Sequence, residues 1–585
     1  MKLSDYVVDF LLKENINRGF FMIGGSVGHI ADSCTSRGLV LHTMHHEQAA
    51  AFAAEAQAII TRGLGLAMAT SGPGATNLIT GIGSSYFASI PVIFITGQVN
   101  TFESNISGKR RQVGFQETDI VSIVKTITKY TVQVQDPNMI RYELEKAVFI
   151  SKHGRAGPVL IDLPFDVQNS DLDISKLKPF VGSEEHKKLS KKIDLDPVVL
   201  RKIADALKDA ERPMILVGHG VRLSNAEQNT IRFIEKTSIP VVVSLLGTDS
   251  VPSDHTLFYG FIGTYGSRSS NFALANADVI LVLGARLDSR QIGVQSKKFA
   301  PLAKIIHVDI DEFELGASVN EWLSINSDID EFLIKILPYL HKSRERGEWL
   351  EYLNWLKTVH PKITQNIGKE EIDPVDTISM LSDRATEGDI ITVDVGSNQM
   401  WFAQGWKPKK DQCIMTNGGM APMGYALPAA IGASLSKNNC PVLIVTGDGG
   451  LQVNIQELQT VVRNKLPIKI LVLNNRSLGM LTQFQTENFE GRLTGSVDGY
   501  DAPDFTKIAT AYGLSADKVE QRGQLVEKIN WLVNERSAAL LDVKIPLNYW
   551  VFPKSRFSKP VHDMTPMLDR KEYNKSMKYV SEDLK

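Results

Sequence analysis

Val442-Leu-Ile-Val-Thr-Gly447-Asp448-Gly449-Gly450, answered further on by Ile468-Lys-Ile-Leu-Val-Leu473-Asn474-Asn475, decides how this chain is built. Each stretch is a short apolar run that ends on small or polar residues. A run of this length without alternation reads as a strand covered on both faces, the habit of parallel sheets. Glycines at 447 and 449 permit a tight turn at the strand end, and Asp448 projects from it as a hard oxygen ligand. The second run delivers Asn475 to the same end of the sheet. A carboxylate, an amide oxygen and a nearby backbone carbonyl suit Mg²⁺, which completes its shell with phosphate oxygens and water. The pair therefore reads as a diphosphate anchor, set against the plainer reading of two strand-ending turns.

Outward from this point, 585 residues are too many for one core, and about three or four domains are expected. Short apolar runs alternate with helix-length amphipathic segments in three blocks. The first occupies residues 1–170, with strands expected at 65–69, 92–96 and 158–164. The second occupies 195–340, with strands at 214–217, 241–244, 279–283 and 305–308. The third occupies 373–550, and a tail, 551–585, is rich in Lys, Pro and Met and lacks strand pattern. A polar stretch at 182–192 reads as a linker. The fold class expected is α/β, with three doubly wound parallel-sheet domains. The first and third blocks share a layout that suggests a duplicated unit. Such sheets bind ligands at the carboxyl ends of their strands.

Composition removes several classes of function. A net charge of −2 without a long basic run gives nucleic acid no footing. Cys34, Cys413 and Cys440 are scattered and without metal-ligand spacing, which fits a reducing cytoplasm. The N-terminus enters an amphipathic helix pattern (Val7, Val8, Phe10, Leu11, Leu12) where a signal peptide would differ, and no apolar run reaches membrane-spanning length. A cytoplasmic protein with neither membrane nor nucleic-acid partners is expected.

The first block carries His45-His46-Glu47-Gln48-Ala49-Ala50 and then Thr70-Ser71-Gly72-Pro73-Gly74-Ala75-Thr76-Asn77. Glu47 precedes an Ala-rich helix, where a carboxylate is favoured by the helix dipole for purely structural reasons. The Ser-Gly-Pro-Gly segment reads as a loop, although glycines that open a helix also suit an anion approached by backbone. The middle block carries Gly260-Phe-Ile-Gly263-Thr-Tyr-Gly266, Gly284-Ala-Arg286-Leu-Asp288-Ser-Arg290 and His307-Val-Asp309. By themselves these are weak loops at strand ends.

Taken together, Glu47, the segment from Ser71 to Asn77, Phe115-Gln116-Glu117, the segment from Gly396 to Trp401, Met423-Gly424, Gly447-Asp448-Gly449 and Asn475 resemble the thiamine-diphosphate enzymes. More narrowly they are similar to the acetolactate (acetohydroxyacid) synthase group, in one collinear order over roughly residues 1–550. The resemblance implies a pyrimidine-binding domain, a central FAD-type domain and a diphosphate-binding domain. It implies thiamine diphosphate and Mg²⁺ as cofactors. Glu47 matches the glutamate that bonds the aminopyrimidine ring. Asp448, Asn475 and the Ser477 carbonyl match the metal ligands. Met423 matches the apolar residue that props the cofactor into its bent shape. Gly396, Asn398 and Gln399 match the diphosphate-holding stretch, and Asn77, Gly447, Gly449 and Gly450 belong to the same cofactor motifs. Gly263, Arg286, Asp288 and Asp309 match segments that bind an FAD without redox duty. Arg290 matches an arginine that faces the acceptor carboxylate, and Phe115 and Gln116 match donor-pocket residues.

The family contains decarboxylases, oxidases and carboligases. Its aldehyde-releasing decarboxylases commonly place paired histidines near the site, whereas the matching region here is Gly114-Phe115-Gln116. A carboligase is therefore expected, with pyruvate as donor of a two-carbon acetaldehyde unit. A flavin-dependent 2-oxo acid oxidase, a simple decarboxylase and a non-catalytic protein stand as alternatives. The acceptor is open between a second 2-oxo acid, giving acetolactate, and a ketone such as a nucleotide-linked keto-deoxysugar. Phe484 stands where the synthases carry tryptophan, Ala421-Pro422 where they carry Gly-Thr, and Thr264-Tyr265 where they carry Met-His. Asn398 replaces a family histidine, and the segment 553–566 resembles proteins that add two-carbon branches to sugars of the yersiniose type. By analogy the protein is a homodimer or homotetramer in which Glu47 and Asp448 of different subunits share a site.

Overall fold

The apolar runs pair into three six-stranded sheets in which every ladder is parallel. The structure is a computed structural model that describes residues 1–585 except 106, 107, 192, 193, 342, 343, 583 and 585. Lys192 of the expected linker and residues 583 and 585 of the expected tail therefore lie outside the described residues.

The first sheet holds β1 (Arg18–Phe21), β2 (Val40–Thr43), β3 (Gly65–Ala69), β4 (Val92–Gln98), β5 (Tyr130–Gln133) and β6 (Val159–Pro164), in the order β2-β1-β3-β4-β6-β5. The second holds β7 (Pro213–Val217), β8 (Val241–Val243), β9 (Phe258–Phe261), β10 (Val279–Leu283), β11 (Lys304–Asp309) and β12 (Leu323–Asn326), in the order β12-β11-β10-β7-β8-β9. The third holds β13 (Ile390–Val393), β14 (Cys413–Met415), β15 (Val442–Gly447), β16 (Ile468–Asn474), β17 (Ser515–Val519) and β18 (Ala539–Lys544), in the order β14-β13-β15-β16-β18-β17. The first and third sheets thus repeat one strand order, as the shared layout in the sequence implies. The second has the doubly wound dinucleotide-type order, which reverses direction between β7 and β10.

The first and third units share a core. The helix Glu47–Thr61 packs its alanine face on the helix Ala426–Ser436, and a side chain at Gly432 would collide with the Ala53 carbonyl. Small residues let the two backbones approach where larger ones would hold them apart. The tail buries Val561, Tyr573, Met577 and Val580 with Phe272, Trp349 and Tyr352 of the central region. Its strand content among the described residues is a single antiparallel bridge, Lys554 with Thr565. The tail also reaches the loop after β9, where the Ser555 amide donates to the Thr264 carbonyl at 2.7 Å.

One element differs from expectation. The stretch read as a linker contains the helix Glu184–Leu189, because Ser183 caps it through the His186 amide and Glu184 and Glu185 occupy its first turn. No helix among the described residues is long and apolar enough to cross a membrane.

Candidate active site

β15 and β16 are parallel neighbours with Gly447 opposite Leu473, so Asp448 and Asn475 leave the sheet at the same end. Asp448 opens the short helix Asp448–Val453 and is buried. One of its oxygens accepts from the Tyr500 hydroxyl at 3.1 Å, and burial pushes its carboxyl up to about 6. One end of the Asn475 amide lies 3.3 Å from the other Asp448 oxygen and 2.9 Å from the Ser477 carbonyl. With the amide nitrogen there, these are ordinary hydrogen bonds. With the oxygen there, three oxygens converge without a donor, an arrangement that a hard divalent cation satisfies. Among the described residues no group of three or more His, Cys, Asp or Glu is placed to hold a metal. The oxygen set at Asp448 is of another kind, one carboxylate with two neutral oxygens, and it fits Mg²⁺.

These residues line a cavity of about 920 Å³ that runs from the third sheet to the central one. Gly396, with φ of +146°, precedes the helix Ser397–Gly405, whose first residues line the cavity, as do those of the helix Gly479–Asn488. Open amide donors at helix starts favour an anion. The third-sheet turns leave no room for side chains. A Cβ at Gly396 would fall 2.7 Å from the Asn398 amide oxygen, one at Gly449 would fall 3.0 Å from the Met423 methyl, and one at Gly450 would fall 2.7 Å from Asp394. Gly447 is looser, its added Cβ lying 3.2 Å from the same Asn398 oxygen. Asn398 donates to the Asp394 carbonyl at 2.7 Å and so wedges the two turns. Gln399 donates to Thr416 at 2.7 Å and to the Asn417 carbonyl at 2.9 Å, which fixes the loop that leads to Met423.

Asp394 organises that loop. Its carboxylate accepts from the amides of Gly424 at 2.9 Å and Ala426 at 3.1 Å, and burial pushes it up to about 6. Neither Asp394 nor Tyr500 was singled out by sequence reasoning. Asp394 stands directly after the apolar run Ile390–Val393, a signal of the same kind as that of Asp448.

The central end of the cavity lies at the β7/β10 switch point. There Gly218, Gly220 and Gly284 bring two loops into backbone contact, and Gly284 has φ of +59°. A side chain at Gly218 would collide with the Gly284 carbonyl. The sequence signal for this approach is Gly218-His219-Gly220 directly after β7, a strand-end glycine pair like that around Asp448. Arg286 pairs with Asp288 at 2.9 Å, and Asp288 caps the turn at Ser289 by accepting from the Arg290 amide at 2.8 Å. Asp309 accepts from the Asp311 amide at 2.9 Å. Arg286, Asp288, Arg290 and Asp309 all line the cavity, as does Tyr265, whose hydroxyl interacts with Arg290. Gly263 is not among the lining residues; with φ of +103°, its added Cβ would sit 2.6 Å from the Arg290 carbonyl, so its backbone lies against the turn that carries Arg290.

Glu47, Asn77, Phe115 and Gln116 also lie away from this cavity. They form a separate group in the first unit. Glu47 begins its helix and accepts from Asn77 at 2.9 Å. Gly72, with φ of +63°, packs on Gln116, and Phe115 is 86% exposed.

Three family models match in chain order: the thiamine pyrophosphate enzyme N-terminal TPP binding domain at 1–123, the central domain at 200–336 and the C-terminal TPP binding domain at 394–543. A probable acetolactate synthase large subunit of Methanocaldococcus jannaschii is 35% identical, over 93% of this chain and 92% of its own. The acetolactate synthase isozyme 2 large subunit of Escherichia coli is 32% identical, over 93% and 96%. The acetolactate synthase large subunit of Lactococcus lactis is 35% identical, over 94% and 93%. Likeness of this extent, end to end and in all three domains, means that the chain belongs to the acetolactate synthase-like family of thiamine-diphosphate enzymes.

Proposed function

We propose that the chain decarboxylates pyruvate and transfers the remaining two-carbon unit to a second 2-oxo acid, giving acetolactate. The observation that carries this reading is the shared cavity, which puts the cationic Arg290 in one space with the oxygens of Asp448, Asn475 and Ser477. A guanidinium matches a carboxylate in charge and fork geometry, and a 2-oxo acid acceptor brings one. The names of the relatives point the same way.

Bound thiamine diphosphate supplies the centre that stabilises a carbanion next to the departing carboxylate. Asp448, Asn475 and the Ser477 carbonyl would hold Mg²⁺ against its diphosphate, with the helix starts at Ser397 and Gly479 as further donors. Met423 would press on its thiazolium side. Glu47, with one oxygen fixed by Asn77, would hold or take a proton at the pyrimidine ring. Phe115 and Gln116 would close the donor side, and Arg290 would orient the acceptor carboxylate. The glycine-lined switch point, with Arg286, Asp288 and Asp309, would hold FAD as a structural group. We assign 1–170, 195–340 and 373–550 to pyrimidine-binding, FAD-type and diphosphate-binding domains, with a tail at 551–585, in a cytoplasmic homodimer or homotetramer.

A second reading, with a ketone acceptor such as a nucleotide-linked keto-deoxysugar, draws support from one feature. Leu481 and Phe484 on the helix Gly479–Asn488 are 52% and 41% exposed, which leaves that helix face open to a bulky acceptor. Carbon-13 NMR of labelled pyruvate with thiamine diphosphate and Mg²⁺, with and without such a sugar, separates the two. Rapid acetolactate that the sugar leaves unchanged supports the first reading. A labelled branch on the sugar with slow self-condensation supports the second, and neither product removes both.

A further inference from the structure

Behind the helix Asp448–Val453 the chain makes a polar clasp that none of the chemistry above uses. Asn454 and Glu457 are 1% and 0% exposed and lie in the third unit, yet both reach the first. Glu457 accepts from the His45 amide at 2.8 Å with one oxygen and from the Thr460 hydroxyl at 2.7 Å with the other. The Asn454 amide nitrogen donates to the Gln48 side chain at 3.2 Å and to the Gly424 carbonyl at 2.8 Å. The residues grasped, His45 and Gln48, flank Glu47 on either side. The carbonyl held by Asn454 belongs to the residue after Met423.

We propose that Asn454 and Glu457 are positioning residues that set Glu47 and the Met423–Gly424 turn in one rigid frame. The assignment of Glu47 and Met423 as cofactor contacts is the reading on which this rests. The bonds to the Gly424 carbonyl and the Thr460 hydroxyl are buried and those to His45 and Gln48 are part-buried, so deleting Asn454 or Glu457 strips the segment around Glu47 of its side-chain anchors in the third unit and leaves it to settle elsewhere. Such a movement displaces the Glu47 carboxylate. If Glu47 serves one centre and Met423 another, as the two-subunit arrangement requires, Asn454 is also the side chain that joins neighbouring centres.

The test uses the full-length holoenzyme variants Asn454→Ala, Glu457→Ala and Glu457→Gln, with Glu47→Gln as control. Three quantities are read: the affinity for thiamine diphosphate with Mg²⁺, the rate of deuterium exchange at the cofactor's C2 position, and backbone amide exchange over residues 45–50 in the cofactor-free protein. Asn454→Ala and Glu457→Ala should lower the C2 exchange by about tenfold or more, since ångström-scale misplacement costs up to ~100-fold. Asn454→Ala should also weaken cofactor affinity, because it frees the Gly424 carbonyl. Amides 45–50 should exchange faster in both. Glu457→Gln keeps an oxygen for the His45 amide and should stay within about twofold of the parent. A merely structural role would lower the melting temperature and leave C2 exchange per folded chain unchanged. Folded Asn454→Ala with parental affinity and C2 exchange overturns the proposal, as do equal losses in Glu457→Gln and Glu457→Ala. If Glu457→Ala does not fold, Asn454→Ala decides alone. Undiminished C2 exchange in Glu47→Gln would sink the reading of the site itself. A dead Glu47→Gln beside a normal Asn454→Ala sinks this inference only.

Discussion

Glu55 lies two turns beyond Glu47 on the same helix and is 1% exposed. It accepts from the Ser85 hydroxyl at 3.1 Å, and burial pushes its carboxyl up from the ordinary 4.5 to about 7. The folded chain therefore holds this proton more tightly than the unfolded one. The stability that Glu55 itself contributes is fully present below pH 4.5, declines as pH rises towards 7 and then levels, a loss of roughly 3 kcal/mol from this one group. Glu55→Gln stays neutral and keeps hydrogen-bonding capacity. By calorimetry, the variant should gain on the parent in melting temperature between pH 5 and 8. An identical difference at both pH values would show that Glu55 does not ionise with unfolding. Residues of this kind explain what the sequence displays and what it hides. Asp448 and Asn475 are legible because each directly follows an apolar run, so their meeting follows from parallel pairing alone. Glu457 is not legible, because its partner His45 is 412 positions away and no period connects them. Asp394 carries the same strand-end signature as Asp448, but its bonds go to backbone amides, which every residue type offers.

At the scale of elements, the central strands announce themselves and the edge strands do not. β4, β10 and β16 are apolar runs buried on both faces. β2 and β17, at sheet edges, are half-exposed and mix polar with apolar residues, so no run marks them. The contact between the helices Glu47–Thr61 and Ala426–Ser436 is likewise visible only as an excess of alanine and glycine, which small residues produce for many reasons. Its geometry is specific. The Cβ that Gly432→Ala adds meets the Ala53 backbone, which cannot rotate away, so the helices must separate. The expected cost is about 1–3 kcal/mol, read as a lower melting temperature. Because the clasp at Asn454 spans the same contact, cofactor affinity should fall with it. An unchanged melting temperature would mean that this helix pair is not closely packed in solution.

At the scale of the whole molecule, one chain separates the two halves of the proposed chemistry. The oxygens of Asp448, Asn475 and Ser477 line the large cavity, whereas Glu47, Asn77 and Gln116 belong to the first unit and do not. Phe115, beside them, is 86% exposed, an orientation for a large apolar side chain that a second copy of the chain would relieve. If two chains form each centre, Glu47 of one meets Asp448 of the other. Inactive Glu47→Gln chains and inactive Asp448→Asn chains, co-expressed in equal amounts, should then regain activity. Random pairing makes half of the dimers mixed, and each mixed dimer has one centre with both groups intact. Restored activity should approach about a quarter of the parental value for a twofold-symmetric pair. The number discriminates because a centre built within one chain predicts none: every chain in the mixture then lacks one of its two groups. Acetolactate formation measured on the co-purified mixture, with each variant alone as the baseline, decides between the two architectures. Activity at the baseline, with mixed dimers demonstrated by mass spectrometry, would return Glu47 and Asp448 to a single subunit and remove Asn454 as a link between centres.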